Sequence, residues 1–268
     1  MFGKILSARW GVWACAGLSV AFWGCRSVPI TGRNQLLLTT SGYENELGLT
    51  SYQESTQANP QTTNSKQQEV LDRIGKAIAK VAPENDFQWE FKVLQSKEVN
   101  AFCLPGGKVA VYTGMMPKFK NEAEMACVVA HEIGHALARH GGERLSWGYV
   151  NTACTLGVSE FFGETAADVF GVGSQYGVML PFSRTHENEA DLIGLYLMAK
   201  AGYEPRAAVD FWSRFGTGNG FDFASTHPSD AKRVANLSAH QAEAAGYYNE
   251  ATEKRGLGVA FVNGVPQK

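Results

Sequence analysis

The sequence has little charge imbalance and few cysteines. Its 24 basic and 26 acidic residues leave a formal net charge of -2. Without a basic field, the chain is not expected to bind nucleic acid. Beyond position 25 the cysteines are Cys103, Cys127 and Cys154, an odd and widely spaced set that excludes a disulfide framework and a C-x-x-C zinc site. We interpret these three as buried, small apolar residues.

Apolar runs long enough to cross a membrane are also lacking. The uncharged stretch Trp10 to Trp23 has about 14 residues, the length of a signal-peptide core, and it follows a positively charged start. It ends at Gly24-Cys25, which resembles the lipobox of bacterial lipoproteins. We therefore predict a signal peptide over residues 1–24 and lipidation of Cys25, with an uncleaved anchor or a plain secretory signal as alternatives. All three place the remaining chain outside the cytoplasm.

The rest of the chain has the composition of one globular domain. Hydrophobic residues make up 44% and charged residues 19%, which argues against disorder. Residues 25–67 are rich in Ser, Thr, Asn and Gln and predict a lipid-anchored tether. We expect one catalytic domain over residues 68–245 and a C-terminal tail over 246–268. No internal repeat is found.

Hydrophobic periodicity predicts an α+β fold that is mainly helical, with a small antiparallel sheet. Apolar and polar residues alternate over Phe87 to Val93 and again over Val109 to Thr113, which indicates two strands. Residues 141–183 are expected to form buried helix and loop near the site. Helical spacing occurs at Glu69 to Ala82, Asn121 to His140, Glu187 to Ala201, Pro205 to Phe215 and Asp230 to Ala245.

The second of these strands is a candidate substrate-binding element. It follows a Gly-Gly turn and precedes a helix that carries a metal motif, so we expect it to be an exposed edge that pairs with an extended substrate. An internal strand that serves only the core is the alternative. The residues concerned are Lys108, Val109, Ala110 and Val111.

The strongest chemical signal is the motif H-E-x-x-H at positions 131–135. At 3.6 residues per turn, His131 and His135 lie on one face of a helix, where both imidazoles can bind one zinc ion. Glu132 projects beside them and is the candidate base that takes a proton from the zinc-activated water. The sequence therefore predicts one catalytic zinc per chain, bound in a hydrolytic site.

The third zinc ligand is expected to be a glutamate, because Gly141 stands where a longer motif would have a third histidine. Glu187 shares its helix face with Ala190, Asp191 and Gly194, small or polar positions that allow a close approach to the first helix. Glu189 is the alternative, but its helical neighbours predict burial against the core. We favour Glu187 as the ligand and expect Asp191 to orient a ligand imidazole.

His227 lies on a predicted loop, in the run Ser225-Thr226-His227-Pro228. It is a candidate hydrogen-bond donor to the oxyanion, or a ligand that occupies the open position of zinc in a resting enzyme. The alternative to both is a histidine that only packs or caps the loop. Arg233 is a second candidate for the oxyanion. We expect the first of these possibilities, with lower turnover for His227→Ala and zinc retained.

Several runs together resemble the bacterial lipoprotein branch of the CAAX-prenyl-protease-like metallopeptidases. They span about Ser27 to Leu237 and comprise Val28-Pro29-Ile30-Thr31-Gly32-Arg33, Asn100-Ala101-Phe102, Leu104-Pro105-Gly106-Gly107, Tyr112-Thr113-Gly114, the H-E-x-x-H motif, Glu187-Asn188-Glu189-Ala190-Asp191 and Ser225-Thr226-His227-Pro228. The resemblance implies a zincin-like gluzincin endopeptidase. Its zinc ligands would be His131, His135 and Glu187. Glu132 would be the base, and Asp191 would orient a ligand imidazole. The resemblance further implies protein quality control in the bacterial envelope.

We therefore expect an endopeptidase that hydrolyses misfolded or unassembled envelope polypeptides, held to the membrane by a lipid anchor. The residue after the lipidated cysteine is Arg26 rather than aspartate, which favours a periplasm-facing position on the outer membrane. A non-proteolytic binding or assembly factor that uses the same cleft is the alternative function. The sequence does not indicate an oligomeric state or a particular substrate.

Overall fold

Helices predominate in the computed structural model, which describes residues 25–166, 168–169, 180–215, 227 and 231–267. The predicted signal peptide lies outside these residues. The helices are α1 (Ser41–Ala58), α2 (Ser65–Val81), α3 (Glu122–Leu137), α4 (His140–Phe162), α5 (Leu180–Lys200), α6 (Arg206–Phe215), α7 (Ala231–Ala239) and α8 (Gln241–Glu250). The strands are β1 (Cys25–Ser27), β2 (Asn34–Leu36), β3 (Glu90–Leu94), β4 (Ala101–Leu104), β5 (Lys108–Tyr112), β6 (Phe261–Val262) and β7 (Val265–Pro266). The predicted fold class, mainly helical with small sheets, is confirmed.

The main sheet has three strands in the order β3-β5-β4. β3 runs parallel to β5, with Phe91 opposite Val109, whereas β4 runs antiparallel to β5, with Phe102 opposite Ala110. The sheet is therefore mixed, and the two strands predicted from alternation are parallel neighbours. The antiparallel hairpin is formed instead by β4, the short strand just before the Gly-Gly turn.

The central position of β5 overturns one expectation. Val109, Ala110 and Val111 are fully buried, and Lys108 forms an ion pair with Glu90 on β3. These four residues are not an exposed edge and do not pair with substrate. Alternation shows which face of a strand is buried, but it does not show which strands lie on either side.

The core of the domain forms around α3. The Asn121 side chain caps this helix by accepting a hydrogen bond from the Glu124 N–H. Beyond the cap, apolar residues occur on all sides of the helix, so nearly every residue of α3 is buried. The sheet, α2, α5 and α6 pack around it. The metal motif therefore lies on the most enclosed helix of the domain.

Residues 25–67 are not an extended tether. β1 and β2 form a hairpin, and α1 begins at a cap provided by Thr40 and packs against β4 and β5. Tyr52 of α1 is buried, and Glu44 of α1 forms an ion pair with Arg139, the residue between α3 and α4. The polar composition misled the prediction, because a few of its polar side chains, such as Glu44, are buried and bond to the domain.

Two further segments differ from expectation. α4 is not wholly buried, since Leu156 is 66% exposed. Cys154 on the same helix is also exposed, unlike the buried Cys127. The C-terminal residues form the β6–β7 hairpin, and Gln67 donates a hydrogen bond to the Gly264 carbonyl. Among the described helices, none has the length and apolarity needed to cross a membrane.

Candidate active site

Three side chains from two helices converge beside the sheet. His131 and His135 lie one turn apart on α3, and their Nε2 atoms are 3.1 Å apart. Glu187 projects from α5 towards both histidines. Its Oε2 lies 3.4 Å from His131 Nε2, and its Oε1 lies 3.3 Å from His135 Nε2. The ligand set that the sequence predicts is thus assembled in one place.

The spacing of these atoms fits zinc. Tetrahedral zinc with bonds of about 2.0–2.1 Å holds its ligand atoms about 3.3 Å apart, and the separations of 3.1 to 3.4 Å match this value. Two imidazole nitrogens and one carboxylate oxygen are a donor set of catalytic zinc sites. His131, His135 and Glu187 are therefore suited to hold the ion.

Close packing of α3 and α5 brings Glu187 within reach of the histidines. A Cβ built on Gly194 would lie 2.8 Å from the His131 backbone nitrogen, and one built on Gly134 would lie 2.9 Å from the Ala190 carbonyl oxygen. Real Cβ atoms do not approach so closely, so both positions require glycine at this helix separation. The small residues of the two helices thus set the distance between the ligands.

Burial and hydrogen bonding shift the pKa of each of the three ligands. Burial lowers the pKa of His135 to about 3, although Glu187 opposes this by accepting a hydrogen bond. Burial also disfavours the Glu187 anion, but hydrogen bonds from three imidazoles hold its pKa far below the ordinary range. Burial disfavours His131 protonation, yet Asp191 and Glu187 raise its pKa to about 9. Glu187 and Asp191 thus favour positive charge at His131, which has to lose its proton when zinc binds.

Glu132 is the buried carboxylate next to these ligands. It is 4% exposed, and burial raises its pKa above the ordinary value, while the nearby His227 and His131 oppose this shift. A raised pKa suits a group that takes a proton from water and passes it to a leaving amine. Glu132 therefore lies where a general base is needed.

His227 also lies in the cluster. Its Nδ1 is 3.1 Å from Glu187 Oε2 and 3.3 Å from His131 Nε2. These distances match those among the other three ligands, and the four residues together form a possible metal-binding group. Its Nε2 lies 3.4 Å from Glu132 Oε1. The imidazole thus lies within reach of the same metal position, which favours the ligand hypothesis.

Asp191 and Arg233 lie behind His131. Asp191 Oδ1 is 2.8 Å from His131 Nδ1, on the side of the ring opposite the metal. Arg233 binds the same carboxylate through two nitrogens, at 2.6 and 2.7 Å, and its guanidinium lies 4.0 Å from the Trp212 ring centroid. Asp191 therefore orients a ligand ring as predicted from spacing. Arg233 is 2% exposed and fixes Asp191. Its Nη1 also lies 3.3 Å from Glu187 Oε2, and its contact with the oxyanion stays a prediction.

Glu189 faces away from the metal, but it is not buried against apolar core. It accepts hydrogen bonds from Thr31 and Arg33 of the N-terminal hairpin and lies 2.9 Å from His140 Nε2. The choice of Glu187 as the ligand thus agrees with the geometry, whereas the environment predicted for Glu189 is wrong. Helical neighbours alone did not reveal a polar partner from a distant segment.

The sequence analysis missed two residues that shape the site. Trp212 of α6 lies with its ring centroid 5.3 Å from that of His131. In the sequence, Trp212 could be recognised only as an apolar residue of an amphipathic helix. His140 lies with Nδ1 2.8 Å from His135 Nδ1. On a continuous helix these positions would not face each other, but Arg139 adopts a left-handed conformation with φ of 54° and breaks the helix between them.

Two histidines and a glutamate from α3, joined by a glutamate from a second helix, define a zinc metallopeptidase of the gluzincin type. Zinc bound there supplies a Lewis acid for the scissile carbonyl and lowers the pKa of a water molecule. Residues 65–241 match the model of peptidase family M48. The chain belongs to this family of metalloendopeptidases.

Curated relatives include the mitochondrial metalloendopeptidase OMA1 of Schizosaccharomyces pombe, 38% identical over 65% of this chain and 53% of that protein. OMA1 of Arabidopsis thaliana is 40% identical over 63% of this chain and 37% of its own length. A putative beta-barrel assembly-enhancing protease of Vibrio cholerae is 26% identical over 62% of this chain and 37% of its own length. The chain thus matches about half, or less, of these proteins.

Proposed function

We propose that the protein is a zinc endopeptidase of the bacterial envelope that cleaves misfolded or unassembled polypeptides. The observation that carries this proposal is the edge strand β4, which lies next to the base and the zinc ligands. β4 packs directly against α3, the helix that carries Glu132, His131 and His135. A peptide paired with β4 would therefore present its backbone to the site.

The hydrogen-bond pattern of β4 supports this role. The Tyr112 N–H of β5 donates to the Asn100 carbonyl, and hydrogen-bonded pairs alternate along an antiparallel ladder. The backbone groups of Ala101 and Cys103 therefore point away from β5, towards the open side of β4. Such groups bind any extended backbone, whatever its side chains. This recognition selects for unfolded segments because a folded chain has already paired its own backbone.

A place in the bacterial envelope is supported by the leader. Mitochondrial transit peptides are amphipathic and rich in Arg, whereas Trp10 to Trp23 carries no charge. The relatives named as beta-barrel assembly-enhancing proteases come from the bacteria Vibrio cholerae and Yersinia pestis. We propose that Cys25 anchors the enzyme to the outer membrane, facing the periplasm.

The experiment compares one polypeptide in two states. Purified zinc-loaded enzyme is incubated with a reduced, alkylated protein and with its native form, and fragments are identified by mass spectrometry. We expect fragments from the unfolded form, few from the native form, and none when Glu132→Gln replaces the wild type. Equal cleavage of both forms would refute selection for unfolded chains.

The alternative function is binding without turnover. It predicts that the wild type and Glu132→Gln prevent aggregation of the unfolded protein equally well and that neither produces fragments. The intact Glu132 and the complete ligand set favour hydrolysis, because a binding factor requires neither. Fragments from the wild type alone would exclude the binding factor.

A further inference from the structure

Among the described residues, the one behind the His135 ring is another histidine, whereas a carboxylate lies behind His131. His135 Nδ1 lies 2.8 Å from Nδ1 of His140, and His140 Nε2 lies 2.9 Å from Glu189 Oε2. A second imidazole is thus inserted between the ligand histidine and a carboxylate. His140 is 0% exposed and Glu189 is 6% exposed, so water does not compete for these contacts.

The contacts allow one consistent arrangement of hydrogens when His135 binds metal through Nε2. His135 then carries its proton on Nδ1 and donates it to His140 Nδ1. His140 must carry its own proton on Nε2, which donates to Glu189. The carboxylate therefore selects the tautomer of both rings, acting on the ligand through the intervening histidine.

The N-terminal hairpin holds Glu189 in place. The Thr31 hydroxyl donates to Glu189 Oε1 at 2.5 Å, and Arg33 Nε donates to Glu189 Oε2 at 2.8 Å. Both residues lie in the turn between β1 and β2, more than 150 positions from Glu189 in the sequence. The turn is held to the buried carboxylate by one neutral and one charged hydrogen bond.

The two remaining nitrogens of Arg33 begin a second chain of contacts that leads to the zinc ligands. Nη1 and Nη2 bind the two oxygens of Glu143 at 3.0 and 2.6 Å. Glu143 Oε2 lies 2.9 Å from Nε2 of His186, the residue before Glu187. His186 also stacks on His140, with ring centroids 4.0 Å apart. One guanidinium thus supports residues next to two different zinc ligands.

We propose that Thr31, Arg33, Glu189 and His140 are positioning residues for zinc, and that through them the N-terminal hairpin sets the affinity of the site. Mutation of groups that orient ligands weakens metal binding by roughly 10- to 100-fold. These four residues orient the His135 ring, as Asp191 and Arg233 orient the His131 ring. The proposal concerns the metal site alone and does not depend on the substrate or the cellular location.

The test measures zinc affinity by competition with a chromophoric chelator, using the full chain. We expect Arg33→Ala and Glu189→Gln to weaken zinc binding by roughly 10-fold or more, while Glu187→Ala loses stoichiometric zinc. Arg33→Lys, which keeps the charge but cannot reach both carboxylates, should recover part of the loss. The matched control is Arg73→Ala, because Arg73 binds Glu122 through two nitrogens at 3.0 and 2.6 Å. Glu122 is the first residue of α3, more than two turns before His131.

A double-mutant cycle separates this role from a general loss of stability. Arg33→Ala and Glu189→Gln should be partly non-additive in zinc affinity, because both act on the path through His140. Arg33→Ala and Asp191→Asn act on different histidines and should be additive. Thr31→Val serves as the milder variant if Arg33→Ala fails to fold, with an expected loss of a few fold. The proposal is overturned if the folded variants bind zinc as tightly as Arg73→Ala.

Discussion

His227 Nδ1 lies 3.1 Å from Glu187 Oε2, so this histidine contacts one of the predicted zinc ligands. If this imidazole binds zinc in the resting enzyme, it must leave before a peptide carbonyl can enter. We therefore expect His227→Ala to retain zinc and to cleave an unfolded substrate severalfold faster. Initial rates and metal content of the purified variant provide the measurement.

Slower cleavage by His227→Ala would assign His227 a different role. An oxyanion donor, when removed, lowers turnover by roughly 100-fold or more. A fall of that size with zinc retained would therefore support the oxyanion hypothesis and reject the resting-ligand one. Wild-type rates and zinc affinity would reject both functions and leave a loop-packing histidine.

Glu132→Gln should abolish hydrolysis while leaving near-stoichiometric zinc. The amide has nearly the same shape as the carboxylate, but it cannot accept a proton from water. His131, His135 and Glu187 keep their contacts in this variant. Peptide cleavage and bound metal are measured on the same preparation, and activity within tenfold of wild type would contradict the assigned base.

Gly194→Ala should destabilise the protein and weaken zinc binding. The new Cβ would lie 2.8 Å from the His131 backbone nitrogen, so α3 and α5 must move apart, at a cost of about 1–3 kcal/mol. Gly246→Ala is the matched control on α8, where no heavy atom lies within 4 Å of the added Cβ. That change should stabilise the helix by about 0.5–1 kcal/mol. If the melting temperature shifted in the same direction for both variants, the packing argument would be refuted.

Cys103→Pro should raise KM with little effect on kcat. It removes an N–H that points to the open side of β4, and one hydrogen bond contributes about 1 kcal/mol, or about fivefold in binding. Proline is tolerated on an edge strand at such a position. Phe102→Pro is the control, because its N–H faces β5 and its loss should lower the melting temperature. Unchanged kinetics in a folded Cys103→Pro enzyme would exclude substrate pairing along β4.

Cys25 should carry a lipid. The prediction follows from the charged start, the short apolar core and Gly24-Cys25 in the leader. Metabolic labelling with a fatty-acid analogue in a bacterial host should mark the wild type and not Cys25→Ser. Equal labelling of both proteins would show that the leader has been misinterpreted.

Most residues of the metal site could be predicted from the spacing of residues within one helix. Two histidines four residues apart in an apolar helical pattern must share a helix face, so His131 and His135 followed from the sequence. Glu187 followed because the small residues of its own helix indicated a close approach to the first. Asp191 lies one turn from Glu187 and followed for the same reason. Each of these inferences needs only the period of one helix.

The sheet and the network behind His135 depended on the tertiary structure. Alternation identifies β5 as a strand, but the strand on its far side is a short segment without a clear pattern. The sequence therefore predicts an edge at Lys108 to Val111, whereas the edge strand is β4. His140 contacts His135 only because Arg139 breaks the helix, and Arg33 meets Glu189 only when the hairpin folds onto α5. Periodicity within a segment determines its own faces, whereas contacts between distant segments depend on how the chain folds back on itself.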